Sequence, residues 1–319
     1  MKNPTQNAAY GGPGWQPRTQ SLEQEIGSLW AECGLDSEYM PLRKVLLHQP
    51  GDELRSALAD FNAVQMLAPL DLELAREEHQ AMAQAYRDHG VEVVDLEHPA
   101  TPSPNQMFMA DLFAMTPSGA VVGRPASTVR AGEERWAARA IANLGMPILT
   151  SVAGHGVFEG ADLMWVSPTL ALVARGLRTN DEAFEQIEAA LAAVGVEAVQ
   201  VELPYGTMHL MGVLRIVDHD LAIGWATRLS HRAVEILRAH GYRLEWLPDE
   251  QEAKERYSFN TVTLGPRKVL MPAGCPNTQA FYTSLGIECV TVEIGELGKA
   301  AGSAGCLTGI LRRDRASAT

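Results

Sequence analysis

Residues 209–247, HLMGVLRIVDHDLAIGWATRLSHRAVEILRAHGYRLEWL, contain one complete structural unit. The apolar run HLMGVLRIV breaks at the turn residues Asp218–Asp220, and LAIGW returns, which reads as a hairpin. Ser230 then precedes HRAVEILRAHG, where its hydroxyl can accept a bond from an orphan N–H of a first helical turn. The helix runs to Gly241, a residue that can close it in the left-handed conformation. YRLEWL follows as a short β-rich run. The unit reads strand, strand, helix, strand.

The same order recurs along the chain. Gly90, Gly145, Gly195, Gly241 and Gly286 fall at intervals of 45–55 residues. The other four are followed by VEVVDL, MPILTSV, VEAVQVEL and IECVTVEI, and a repeat of this period means one supersecondary unit used several times. Asp71, Asn180 and Asn277 are the further candidate helix caps. Hairpin-like pairs precede the helices: MFMADLFAM with AVVGRP, FEGADLMWV with LALVARG, and FNTVTL with KVLMPAG. The first unit lacks an opening strand and begins with RKVLLHQPG, whereas GCLTGILRR near the end has no unit of its own. Placing that strand in the vacancy closes a ring of five units and covers the two open edges. An open α/β sheet with helices on both faces is the alternative arrangement.

The chain has 319 residues, 46% of them hydrophobic, and a formal charge of −13. The ring reading favours one catalytic domain over residues 41–319, with residues 1–40 as an N-terminal arm and lead-in. The negative charge argues against nucleic acid or an anionic membrane as partner. No run approaches a membrane span, and the first twenty residues lack a signal-peptide core, so a cytoplasmic location is expected. Cys33, Cys275, Cys289 and Cys306 show no paired metal spacing. The arm, rich in Gly, Pro, Asn and Gln, reads either as a loose surface segment or as one packed on a partner or over a site through Tyr10 and Trp15. A homo-oligomer is left open.

If the units are equivalent, the starts of their opening strands face one centre. Those positions hold Asp111, then Glu159 and Asp162, then His209, Asn260 and finally Cys306. A thiol, an imidazole and carboxylates form a kit for nucleophilic and general acid–base catalysis. Asp111 is flanked by apolar residues on both sides, and a buried acid is costly unless it pairs with something. Asp162 reads more readily than Glu159 as a turn-bonding residue, but it is expected among the substrate-binding residues with Asp111, Arg178 and Met211. Cys33, Cys275 and Cys289 lack comparable surroundings and read as structural.

These motifs resemble the guanidine-modifying pentein superfamily, which comprises arginine deiminases, dimethylargininase-type hydrolases and amidinotransferases. Asp111 in MADLF, Glu159 and Asp162 in FEGAD, Arg178 in LRTN, His209 in MHLM and Cys306 in GSAGCLTG come in family order over residues 40–314. The resemblance implies a five-bladed, pseudosymmetric α/β propeller of ββαβ units, with no metal or organic cofactor. It implies Cys306 as nucleophile on the guanidine carbon, forming a covalent amidino-thioether. His209 would be the acid and base, Asp111 and Glu159 would accept the guanidinium N–H groups, and Arg178 would pair with a substrate carboxylate.

The chain departs from the family pattern at Met211, where an aspartate commonly follows the His-Leu pair, at Ala110 before Asp111, and at Gly305 before the nucleophile. Loss of one carboxylate suits an N-substituted guanidine whose alkyl group packs on Met211. Hydrolysis of a C–N bond in such a small guanidine compound is the leading expectation. Amidino transfer to an acceptor amine through the same intermediate is the alternative, and a non-catalytic binder on the same ring is the other class. Arg43, His48, Arg124 and Arg130 are further candidates for a substrate carboxylate.

Overall fold

A computed structural model describes residues 6–57, 60–97 and 102–316. Fifteen strands among them form five three-stranded sheets, four of which are continuous in sequence. β3 (Phe113–Thr116), β4 (Gly119–Val122) and β5 (Ile148–Ser151) make one. β6 (Leu163–Ser167), β7 (Leu170–Arg175) and β8 (Glu197–Glu202) make the next. β9 (Leu214–Asp218), β10 (Leu221–Gly224) and β11 (Arg243–Trp246) follow. β12 (Val262–Gly265), β13 (Lys268–Pro272) and β14 (Glu288–Val292) complete the four. In each, the first pair is antiparallel and the helix-connected pair is parallel, as a crossover connection requires.

The remaining sheet joins both ends of the chain. β1 (Leu42–Leu47) pairs parallel with β2 (Glu92–Asp95) and antiparallel with β15 (Gly309–Arg313). The strand near the C-terminus therefore fills the vacant place, and the fold is the five-unit α/β propeller. Burial is graded across each blade: β3, β4, β9 and β10 are buried throughout, whereas the last strands β5 and β11 are mostly exposed or half-buried.

Each blade's helix packs one stripe inward. Ala183, Ile187 and Leu191 are the buried positions of Asp181–Ala192, and Ala137 and Ile141 those of Glu134–Asn143, the spacing of a single helix face. The five repeat glycines all have φ between +73° and +84°. This left-handed region closes the helix at little cost to glycine alone. Asp71, Asn180 and Ser230 cap their helices as expected. Asn277 does not. Pro276 starts that helix earlier, at a position where its missing N–H costs nothing, and Glu252 accepts from the N–H groups of Asn277 and Thr278 at 2.9 and 2.8 Å.

The lead-in is stitched to the ring. Gly34 N donates to Leu311 O, Ala316 N donates to Asp36, and Trp165 N donates to Glu38 at 2.9 Å. Tyr10 and Trp15 are exposed, at 71% and 56%. Among the described residues no helix is long and apolar enough to cross a membrane.

Candidate active site

Four expected site residues sit on short helical turns rather than on strands. The turns are Met109–Asp111, Gly160–Asp162, Leu210–Gly212 and Ala304–Leu307, each placed just before an innermost strand. Local bonds satisfy the backbone there: Leu112 N donates to Met109 O, Asp162 N to Glu159 O and Gly212 N to His209 O. A strand start would need partners across the ladder, whereas these turns close on local bonds and on side chains of a neighbouring turn, which lets their side chains converge at one end of the ring.

At that end lies a dense charged group. His209 Nε2 is 2.7 Å from Glu159 Oε2 and 3.7 Å from Asp111 Oδ1. Arg130 Nη1 donates to Asp111 Oδ2 at 2.6 Å and reaches Glu159 Oε2 at 3.5 Å, while Nη2 donates to Glu133 at 2.8 Å. Arg178 Nη1 donates to Glu159 Oε1 at 3.2 Å, and its Nε has no partner among the described residues. Asp111 Oδ1 likewise accepts no hydrogen bond there, although it is buried. A buried acceptor left open is costly and therefore available to a ligand's N–H.

Electrostatics follow from this packing. Burial works against a charged His209, but the Asp111 carboxylate and the bond to Glu159 outweigh it and hold the ring up at about 9. His209 is thus an imidazolium at neutral pH. Burial likewise opposes an ionised Glu159, yet the bond to His209 and the nearby arginines hold it down at about 2. Ligand atoms of Asp111, Glu159 and His209 lie within 4.8 Å of one another, but a protonated His209 has no lone pair to give a metal.

Cys306 is buried beside this group. Asn260 grips it twice, donating Nδ2–H to Sγ at 2.9 Å and accepting from the Cys306 N–H at 3.2 Å. Burial pushes the thiol up, and Asp111 adds to that, while the Asn260 bond and Arg215 pull it back. Arg215 approaches from the ring axis. Its Nε donates to Phe259 O at 3.0 Å and its Nη2 has no partner among the described residues. A Cβ at Gly305 would lie 2.6 Å from Asn260 Oδ1 and 2.9 Å from Arg215 Nη2, so a side chain before the nucleophile would have to displace the groups that hold the thiol.

Two cavities meet at Cys306, sharing also Met208 and Ala301. The smaller, about 20 Å³, is bordered by Asp111, Arg130, Arg178, Phe108 and Asn105. The larger, about 280 Å³, includes His209, Met211, Trp225 and Asn260. Gln65, Tyr257 and Ala301, which line these cavities, are three of the four non-glycine residues with positive φ among the described residues. Backbone strain of this kind concentrates where structure is constrained by function.

Asp111, Glu159, His209, Arg178, Met211 and Cys306 are thus brought together, and Arg130 joins them. Asp162, expected among the substrate-binding residues, lines neither cavity. Its oxygens accept from Thr179 Oγ1 at 2.7 Å and from Leu210 N at 3.0 Å, which fixes the turn after His209, and burial raises it to about 6. Arg124 is spent on Gly156 O, and Arg43 on Asp314 at the surface. His48 pairs with Glu53. Glu133 and Arg215 carried no sequence signal, since neither falls on the repeated positions.

A thiol, an imidazolium and carboxylates at one end of a five-bladed α/β ring define the pentein class. The model of the eukaryotic N,N dimethylarginine dimethylhydrolase family matches residues 64–311. The chain belongs to this family, whose members are hydrolases of C–N bonds in linear amidines. It is similar to the N(G),N(G)-dimethylarginine dimethylaminohydrolase of Streptomyces coelicolor, with 29% identity over 273 residues, 86% of this chain and 98% of that one. The enzyme of that name from Pseudomonas aeruginosa is 25% identical over 252 residues, 79% of this chain and 94% of its own. A structure of a mutant of the Pseudomonas aeruginosa enzyme complexed with citrulline has a TM-score of 0.71 at 22% identity, covering 85% of this chain and all of that one. SxtG, an amidinotransferase from Microseira wollei, reaches 0.72 at 13% identity, covering 88% and 97%; at such identity the likeness concerns the fold.

Proposed function

We propose that the protein hydrolyses an N-substituted, arginine-like guanidine through a covalent amidino-thioether on Cys306. The observation that carries this is that Cys306 adjoins both the cleft of the open Asp111 acceptor and the cavity lined by the imidazolium His209, in a chain of this family. Asp111 and Glu159 accept the guanidinium N–H groups and hold the planar carbon near sulfur. Burial, with the Asp111 charge, holds the thiol in its neutral form; the incoming cation offsets Asp111, so the thiol proton passes to solvent and the nucleophilic thiolate forms.

The thiolate forms an S–C bond. As the C–N bond breaks, its electron pair leaves with nitrogen, which takes the His209 proton. Neutral His209 then accepts a proton from water as the oxygen attacks, and the C–S bond breaks to return the thiolate. The products are a ureido compound and an amine. Arg178, whose Nε has no partner among the described residues, would pair with a substrate carboxylate, and Met211 would offer an apolar contact to the group on the substituted nitrogen.

Incubation with Nω,Nω-dimethylarginine should yield equal amounts of citrulline and dimethylamine, with Cys306→Ser abolishing both. Release of neither product by the folded wild-type protein would overturn the reading.

A further inference from the structure

The two cavities at Cys306 differ in chemistry. Given the hydrolysis proposed for this site, on which the assignment below rests, the difference concerns the amine half of the reaction. The carboxylates and arginines that face the guanidinium and its tail border the small cleft. The departing nitrogen must lie beside His209, its proton source, and His209 lines the large cavity instead. That cavity measures about 280 Å³ and its walls are mostly carbon, from Met208, Met211, Val213, Trp225 and Phe259. One water needs about 10–15 Å³ on this measure, so a dimethylamine of three heavy atoms leaves most of the cavity unfilled.

Its polar features are few. Thr207 is 4% exposed and its hydroxyl has no partner among the described residues. At the rim Arg228 stacks 4.4 Å from the Trp225 ring centroid and Lys254 lies 5.7 Å from the same ring. Lys254 is paired with Glu250 at 2.9 Å, and Arg228 donates to Gly206 O at 3.2 Å. Gly212, on the turn after His209, opens into the cavity, and a Cβ built on it meets nothing within 4 Å.

We propose that this cavity is the subsite for the substituent on the departing nitrogen, and that it accepts guanidines carrying an extended alkyl or aryl group there. The C–N bond breaks with its electron pair on nitrogen, His209 supplies the proton, and the neutral apolar amine departs into the cavity. Methyl groups are then substituents the site tolerates rather than the ones it fits.

The test compares kcat/KM for Nω-benzylarginine and Nω,Nω-dimethylarginine with the full chain. Wild type should use the benzyl compound at least as well as the dimethyl one. Gly212→Leu, which fills the cavity, should lower the ratio of benzyl to dimethyl turnover at least tenfold. Turnover of dimethylarginine with the benzyl compound more than a hundredfold poorer, or equal losses in Gly212→Leu, would overturn the subsite while leaving the proposed function standing. Failure of both substrates would overturn the two together. If Gly212→Leu does not fold, product inhibition of wild type decides. Benzylamine should inhibit at least tenfold more strongly than dimethylamine, and equal inhibition contradicts the subsite.

Discussion

Cys306 stands between two regions that treat buried charge in opposite ways. In the cleft, Arg130 is paired with Asp111, Glu133 and Glu159, and these carboxylates hold it above its ordinary range despite burial. Along the ring axis, Arg215 and Arg313 are also buried, but their hydrogen bonds go to the backbone carbonyls of Phe259 and Met40. Burial lowers both, Arg313 to about 10. The lesson is that the two sets of arginines answer to different needs. The cleft keeps a compensated network that a substrate guanidinium can join by exchange, and the axis keeps positive charge in reserve behind the thiol.

The largest effect should come from opening the cleft network at its centre. Glu159→Gln leaves an acceptor for His209 but removes the negative charge that pairs with His209, Arg130 and Arg178. We expect kcat/KM to fall by about 10²–10⁴, the usual worth of a positioned proton donor. Steady-state kinetics on the folded variant measures it, and a loss under tenfold would mean that Glu159 does not set His209's charge.

Next in size is a direct contrast between the two arginines. Arg130→Met strands buried carboxylates and should cost about 3–5 kcal/mol, whereas Arg215→Met removes a buried cation that forms no ion pair among the described residues and should cost markedly less. Urea denaturation of both variants tests this. Arg215→Met should also slow iodoacetamide alkylation of Cys306 at pH 8, since Arg215 is among the groups that pull the thiol down. Equal destabilisation by the two substitutions would erase the distinction.

His209 predicts a pH effect of similar scale. Its folded value of about 9 exceeds the unfolded value of about 6.5, so the folded chain binds the proton more tightly. The stabilisation is complete below about pH 6.5 and disappears as pH rises through about 9, a change of about 3 kcal/mol. Asp162, raised to about 6, acts in the same sense in a lower window. Stability measured from pH 6 to 10 should decline in wild type and flatten in His209→Asn. The smallest effect belongs to the blade itself. Gly286→Ala, at φ +76° with nothing near the new Cβ, should cost about 1–2 kcal/mol from backbone strain alone.

The ring was readable in the sequence because its signals are local. A glycine at each helix end, alternating runs and a strand without a unit are patterns within a few residues, and the pairing of β1 with β15 follows by elimination. The convergence of Asp111, Glu159, His209 and Cys306 was readable for the same reason, since equivalent positions in a ring share a centre. Side-chain choices made across blades were not. Asp162 could serve substrate or backbone, and the nearby Leu210 N–H decides for backbone. Arg130 reads as one of several arginines until the fold sets its guanidinium against three acids. Asn260 falls on the repeated positions, but its grip on the thiol depends on a neighbouring blade's turn. Asn277 lost its capping role to Glu252 from a separate helix.

The central claim is that Cys306 carries the amidino group. Intact-protein and peptide mass spectrometry after acid quench during turnover of dimethylarginine tests it most directly. The account predicts an adduct on the peptide containing Cys306, which disappears when substrate is exhausted and never forms in Cys306→Ser. Citrulline production by Cys306→Ser, or an adduct on Cys33, Cys275 or Cys289 instead, would contradict it.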